Sequence, residues 1–397
     1  MAPSSPFTGP CTLQAAVVLL AVALGGGPAQ AYRLTMTAKV HEARWGNGIA
    51  ELVYAGVGCR VVVVDMSEVA SLSLADGIIA TSESLCNTEA KNASGAAVST
   101  LAVSMDGGTL VAATSVGGGR LYALELVYEG KRMGQLKVTA VSKPLRGVIV
   151  RVSDASFDND LGFEVYWAVT THTVYCLRYD LGVFDVIASI VLQPNLRDVT
   201  LLDAGTMAVT GGSRATPSPS TRIVVSSASG LLVLEKKGNA LVLGAIITSP
   251  GTGNDGFAVA DSSFAFVAAG GAGLRVFDLG DSGSLLTTQA LPDGAGWAGG
   301  VAAASSITAD DAASVSYLAV VASDAGIFGY QARMNGTNTP QVSLAWDLKL
   351  GKSNGGCGWN IVMGKRQCKM YVSDKAAGLI VVDVCSTQPT VIGRLQM

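Results

Sequence analysis

Short apolar runs, each closed by a polar residue and each preceded by a similar run and a tight polar turn, recur along this chain. The clearest pair is Tyr371-Val372-Ser373-Asp374 followed, after a short turn, by Gly378-Leu379-Ile380-Val381-Val382-Asp383. The second run is apolar at successive rather than alternate positions and is rich in β-branched residues. It is far shorter than the ~20 residues of a membrane-spanning helix. It therefore reads as a β-strand covered on both faces and paired antiparallel with the run before it.

Six more stretches repeat the second member of this pair. They are Arg60 to Asp65, Leu121 to Glu125, Val174 to Arg178, Gly230 to Glu235, Gly273 to Asp278 and Gly326 to Gln331. Their last residues, taken with Asp383, are spaced by 60, 53, 57, 43, 53 and 52 residues, as expected for loops of varying length on a constant core. Each pair is preceded by one more strand-like segment, such as Asp198-Val199-Thr200-Leu201-Leu202 or Trp359-Asn360-Ile361-Val362-Met363. Each is followed by another, such as Thr390-Val391-Ile392-Gly393-Arg394. Four strands in a unit of about 52 residues cannot bury both faces of a sheet alone, so the units must pack face to face around an axis. The pattern predicts an all-β chain folded as a seven-bladed β-propeller of four-stranded antiparallel blades. Arg33 to Val40 reads as a strand with no place in the first unit, and the chain's last strand follows closely on the seventh. The two ends are expected to meet in one blade as a clasp that protects its edges.

Leu379-Ile380-Val381-Val382-Asp383 and Leu274-Arg275-Val276-Phe277-Asp278 resemble the Leu-Val-Ile-Val-Asp (LVIVD) repeat β-propeller family. The likeness is good in the first, fifth and seventh units; the others end in Glu, Arg, Glu and Gln. The resemblance implies a secreted or surface propeller and brings no catalytic residue with it.

Composition sharpens this picture. Charged residues make up 14% of the chain, mean hydropathy is +0.42, and glycine numbers 48, the balance of a chain that buries much and turns often. Net charge is −3, and Lys and Arg form no stripe, which argues against a nucleic-acid partner. Leu13 to Leu24 is apolar, Gly25-Gly26-Gly27-Pro28 breaks it, and Ala29-Gln30-Ala31 supplies small residues for a signal peptidase. Residues 1–31 thus read as a signal peptide, 32–397 as one propeller domain with no membrane span, and the compartment as extracellular or cell surface. Six cysteines remain after Cys11 leaves, an even set suited to an oxidising compartment. Asn92-Ala93-Ser94 and Asn335-Gly336-Thr337 are glycosylation sequons, with Asn92 and Asn335 as acceptors.

Two disulfides follow from strand geometry. A hairpin turning at Ala376-Ala377 sets Cys368 across from Cys385, within disulfide reach. Cys59 and Cys86 fall on loops of one face and form the second pair. Cys176 lies inside a strand as a buried free thiol, and Cys357 is left without a clear partner. Ala215 to Thr221, rich in Pro, Ser and Thr, cannot join a sheet and reads as an exposed loop of the fourth unit.

A ligand site in this architecture belongs at the mouth of the central channel, on the face carrying the turns between second and third strands. The residues expected there are Trp45 with Asn47, Arg146, Arg197 with Asp198, Asn254 with Asp255, Trp297, and Trp359 with Asn360. Three aromatic walls among polar groups suit a small ligand or a partner. Equally, the polar groups could bond backbone between blades while the Trp side chains plug gaps. Arg146 and Arg197 carry the functional reading further, because a guanidinium at a channel mouth needs an acidic partner or ligand.

Signatures of chemistry are thin. The two histidines, His41 and His172, have no metal-ligand spacing, no Gly-x-Ser-x-Gly elbow sits between strand and helix, and Gly117-Gly118-Gly119 opens no helix. Asp154, Asp158, Asn159 and Asp160 invite calcium but lack EF-hand spacing, and with Asp310-Asp311 they fall on the opposite, bottom face. No catalytic residue, metal or cofactor is assigned. The sequence favours a secreted module binding an extracellular protein or glycan. An enzyme, hydrolase or lyase, built on Arg146, Arg197, Asp198, Asp255 or His172 is the alternative, and a module of a larger extracellular assembly is a third reading. Expression in a secretory host should release a chain that starts at Tyr32 and holds 366 of the 397 residues, as read by intact mass and N-terminal sequencing; an uncleaved leader would refute the compartment.

Overall fold

The computed structural model describes residues 35–45, 48–66, 77–86, 97–114, 119–129, 133–158, 161–171, 173–192, 207–210, 222–227, 230–248, 256–259, 264–279, 283–306, 315–323, 325–334, 340–350, 358–363, 368–374, 378–384 and 388–395. Among these every regular element of four residues or more is a β-strand, and consecutive strands form seven sheets. Blade 1 holds β1 (Thr35–Trp45), β2 (Gly48–Val57), β3 (Arg60–Asp65) and β4 (Ile78–Thr81). Blade 2 holds β5 (Val98–Val103), β6 (Thr109–Thr114), β7 (Leu121–Glu129) and β8 (Met133–Val141). In blade 3 the inner strand is split into β9 (Ile149–Val152) and β10 (Ser156–Asp158), followed by β11 (Phe163–Thr170), β12 (Thr173–Asp180) and β13 (Val183–Val191). Blade 4 runs through β14 (Met207–Thr210), β15 (Arg222–Ser227), β16 (Gly230–Lys237) and β17 (Ala240–Thr248). Blade 5 comprises β18 (Gly256–Val259), β19 (Phe264–Ala268), β20 (Leu274–Asp278) and β21 (Ser284–Gln289). Blade 6 comprises β22 (Ala298–Ser306), β23 (Val315–Ser323), β24 (Gly326–Met334) and β25 (Gln341–Lys349), and blade 7 β26 (Gly358–Met363), β27 (Lys369–Asp374), β28 (Gly378–Asp383) and β29 (Thr390–Leu395).

All seven anchor stretches lie in the third strand of a blade, and the burial pattern explains why they are apolar throughout. In β3, Val61 and Val63 pack toward blade 2 while Val62 and Val64 pack toward blade 7. In β28, Leu379 and Val381 face blade 1, and Ile380 and Val382 face blade 6. Successive side chains of a strand point to opposite faces, so a strand between two covered faces needs apolar residues at both parities. The core is accordingly seven clusters, one at each interface between blades.

The third strands share a second feature. Opposite the two residues before each anchor, the outer strand carries one extra residue: Ile79, Thr139, Ile187, Gly244, Leu286, Ala345 and Ile392 in blades 1 to 7. A bulge at one station in every blade shows that the anchors are equivalent positions, even where the residue is Glu, Arg or Gln rather than Asp.

Ring closure differs from the expected clasp. Each blade is made of consecutive strands, and the first strand, longer than the segment read from sequence, is the inner strand of blade 1. It pairs with β2 from Thr35↔Val57 to Trp45↔Gly48, which leaves blade 7 to be completed by β29 alone. The ring shuts by packing: β26 lies against β1, and Val53, Ala55, Val62 and Val64 meet Tyr371, Leu379 and Val381. Across this seam the buried Tyr371 hydroxyl donates to Glu51 Oε1. Burial, then the bond to Glu51 and its charge, hold the Tyr371 phenol well above its ordinary range, so it remains a donor.

One interface carries charge. Lys236 of β16 and Asp158 of β10 form an ion pair at 2.7 Å between blades 4 and 3, their side chains 2% and 4% exposed. The other oxygen of Asp158 accepts from the Leu161 N–H at 3.1 Å. Asp158 is thereby accounted for as the partner of a buried ammonium, in contrast to the calcium ligand that its acidic neighbourhood suggested. Cys176 is buried and free as expected, and burial, modulated by Lys236 and Asp158, pushes its thiol up to about 12. It is protonated at neutral pH. Lys236→Met should strand the carboxylate and lower stability by roughly 3 kcal/mol, whereas Lys236→Met with Asp158→Leu should recover most of that loss, as read from thermal unfolding midpoints.

Candidate functional site

Strand direction sorts the loops onto two faces. Turns between second and third strands, and the connections between blades, lie on the top; turns joining first to second and third to fourth strands lie on the bottom. This places Arg146, Trp297 and the start of β26 at the top mouth. Trp45 belongs elsewhere: it is the last residue of β1, at the β1–β2 hairpin, and so at the bottom. The sequence misplaced it because β1 had not been recognised as the inner strand of its blade. Trp359 and Asn360 sit on β26, where Trp359 is an extra residue between the Gly358↔Asp374 and Asn360↔Ser373 pairs. Asn47, Arg197, Asp198, Asn254, Asp255 and His172 lie outside the described residues, as do Asn92, Asn335, Cys357, Cys385 and residues 215–221.

On the top, the connection from blade 2 to blade 3, residues 142–148, is tied down along its length. Ser142 pins its start: the Leu121 N–H donates to Ser142 Oγ at 2.8 Å, Ser142 Oγ donates to the Lys143 carbonyl at 2.8 Å, and the Ser142 N–H donates to the Leu121 carbonyl at 2.8 Å. Leu145 is buried, and its N–H bonds the Gly119 carbonyl at 2.8 Å. Gly119 is required there, because with φ at +67° a Cβ would stand 2.4 Å from the Leu145 carbonyl oxygen. Farther along, the Arg146 N–H donates to the Tyr175 hydroxyl at 3.0 Å and the Thr171 N–H to the Val148 carbonyl at 3.0 Å. Every second or third residue is thus tied down, and Lys143, Pro144, Arg146 and Val148 are left exposed. Arg120, half-buried beside them, spends one guanidinium N–H on the Ser142 carbonyl at 3.1 Å.

The same device recurs one blade earlier. Ser82 takes the Val61 N–H at 2.9 Å and donates to the Glu83 carbonyl at 2.7 Å, while the Leu85 N–H reaches the Cys59 carbonyl at 2.7 Å. Ser-x-x-Leu directly after an outer strand, in Ser82 to Leu85 and Ser142 to Leu145, is the sequence signal for these rigid connections. The Cys59–Cys86 disulfide predicted for this face is present, with Cα atoms 5.4 Å apart. Cys368 is also disulfide-bonded, to a cysteine outside the described residues. The hairpin register there is one residue tighter than expected: Lys369 faces Asp383, and the Val384 N–H donates to the Cys368 carbonyl at 2.8 Å, so Val384 rather than Cys385 stands across from Cys368.

Trp297 plays the structural part of its two candidate roles. Its ring covers the Gly270-Gly271 turn so closely that a Cβ at Gly270 would come within 2.3 Å of it, and Gly270 pairs with Ala298 through bonds of 3.2 and 3.1 Å. It wedges blade 5 against blade 6. Arg146, by contrast, points into solvent with no carboxylate beside it among the described residues.

Inside the channel, Arg151 follows on the inner strand of blade 3. Burial among the channel walls lowers its pKa and the Asp154 carboxylate offsets part of that. Asp154 Oδ1 accepts from the Val103 N–H at 2.9 Å, and on the bottom face Asp106 Oδ1 accepts from Ser104 Oγ at 2.6 Å and the Gly108 N–H at 2.9 Å. These carboxylates bind backbone and hydroxyl groups. Among the described residues no group of three or more His, Cys, Asp or Glu is arranged to hold a metal ion.

No family model matches the chain, and no curated protein matches it. Solved structures do. Sqt1 from Chaetomium thermophilum is similar at 12% identity with a TM-score of 0.56, over 89% of this chain and 97% of that one. A functionally unknown protein from Desulfotomaculum acetoxidans DSM 771 is similar at 15% identity and a TM-score of 0.56, over 85% and 92%. The WD40 repeats of RRP9 align at 10% identity and 0.53, over 85% and 91%. These likenesses establish the fold. No helix among the described residues is long and apolar enough to cross a membrane.

Replacing both Cys59 and Cys86 by Ser removes a cross-link closing 27 residues and should lower stability by roughly 3 kcal/mol, measured as a fall in unfolding midpoint against the parent chain under non-reducing conditions.

Proposed function

We propose that this chain is a secreted or cell-surface propeller that binds a protein or its glycans through the top face. The observation that carries the reading is the connection at 142–148, a loop fixed by backbone bonds that holds basic and apolar side chains in solvent. A surface ordered before binding loses little conformational entropy on association, the circumstance in which a modest patch gives useful affinity. Sqt1, a fold neighbour at 12% identity, has been crystallised bound to the N-terminus of the ribosomal protein L10, a precedent for a propeller of this shape taking a peptide segment. The Cys59–Cys86 disulfide supports an oxidising compartment. Membership of the LVIVD repeat propellers is part of the proposal and rests on the third-strand residues quoted above.

A photo-crosslinking amino acid placed at Val148, and in a second variant at Leu181 in the β12–β13 turn on the bottom, tests this. In the protein's native secretions the Val148 probe should give defined polypeptide or glycopeptide adducts. Adducts from Leu181 with none from Val148 would overturn the top-face assignment.

A further inference from the structure

We infer that the top face takes an acidic, extended peptide segment, docked over the junction of blades 2 and 3. The inference rests on the top-face reading above and adds the chemistry of the partner. Its basis is a local charge excess in a chain whose net charge is −3. Lys143 and Arg146 project from the pinned connection, Arg120 lies beside it, and Arg60 stands as far before the anchor Asp65 in blade 1 as Arg120 stands before the anchor Glu125 in blade 2. In blades 4 to 7 that position is glycine. Among the described residues Glu83 is the sole carboxylate on the top of these three blades.

The contrast with the bottom face makes the excess informative. There Lys236 sits on Asp158 at 2.7 Å, Lys237 on Glu235 at 3.5 Å, and Arg178 on Asp180. Among the described residues neither Lys143 nor Arg146 has a carboxylate partner. A cation fixed by its backbone and left uncompensated attracts an anion without reorganising, and guanidinium presents the paired donors that a carboxylate accepts.

Apolar surface decides between anionic partners. Val148 is 49% exposed and Pro144 is exposed between the two cations. A sulfated glycan would leave both unused, whereas a peptide alternating carboxylate and apolar side chains meets both in register with an extended backbone.

The test uses the whole mature chain and a phage-displayed library of random dodecapeptides. Selected peptides should be enriched in Asp and Glu with interspersed apolar residues, and their affinity should fall as ionic strength rises. Lys143→Glu with Arg146→Glu should weaken them about tenfold or more, while Arg333→Glu, on the bottom of blade 6, should leave them unchanged. Matched circular dichroism and unfolding midpoints establish that the double variant folds. Peptides without acidic bias that still crosslink at Val148 and ignore the double charge reversal would overturn this inference and leave the top-face reading standing. Peptides that crosslink only at Leu181 would overturn both. A heparin oligosaccharide that displaces the peptides and binds more tightly would replace the peptide by a sulfated glycan and equally overturn the inference.

Discussion

Everything in this molecule depends on the requirement that a blade be apolar on both sides. A four-stranded sheet of this length exposes two faces and is stable only when both are covered, so the fold has no natural end except a closed ring. The third strand bears this most heavily, since it lies between two neighbours along its whole length. Val61 to Val64 and Leu379 to Val382 show the result directly: odd and even residues belong to different interfaces, and no position is left for a polar side chain until the strand runs out at the bottom face. The seam between blades 7 and 1 is made in the same way as the other six. The Tyr371–Glu51 bond is a polar contact added to an apolar joint, not a substitute for one.

This constraint also governs what could be read from the sequence. Third strands were legible because burial on both faces leaves a dense, β-branched signature, and their spacing was enough to count seven blades. Inner strands were not. They face the channel on one side, so β5 and β22 mix buried and half-exposed positions and β9 is four residues long before the chain breaks and resumes as β10. The sequence pattern therefore gives β1 no blade of its own, and the expected terminal clasp differs from the observed closure for that reason. Trp45 went to the wrong face for the same reason. At finer scale, the register of the last hairpin missed by one residue because the turn between Asp374 and Gly378 has no sequence mark of its centre.

The site was legible in part. Arg146 and Trp297 were both placed at the mouth, yet only the structure separates them. What distinguishes them is the surroundings: two glycines lie under the Trp297 ring, and a chain of serine, leucine and tyrosine bonds holds Arg146 out. Sequence shows which residues converge on a mouth. Whether a side chain is a wedge or a contact depends on its neighbours across the blade boundary, which are distant in the chain. Asp158 makes the same point: its partner, Lys236, is in the next blade and cancels a charge that looked available for a metal.

The bulges in the outer strands bear on how this protein behaves in a crowd. Each outer strand is the edge of its sheet, and those of blades 3 and 4 also expose Val183, Val186, Val191, Leu243 and Ile246. A straight, apolar edge of that kind invites another chain to add a strand and start a fibre. The extra residue at the middle of every rim interrupts the regular spacing of donors and acceptors and increases the local twist, so an incoming flat strand finds matching groups over only part of its length. Seven such interruptions, one per blade, make the rim self-terminating, and they let side chains with high strand propensity face solvent around the ring without turning the molecule into a template for its own aggregation.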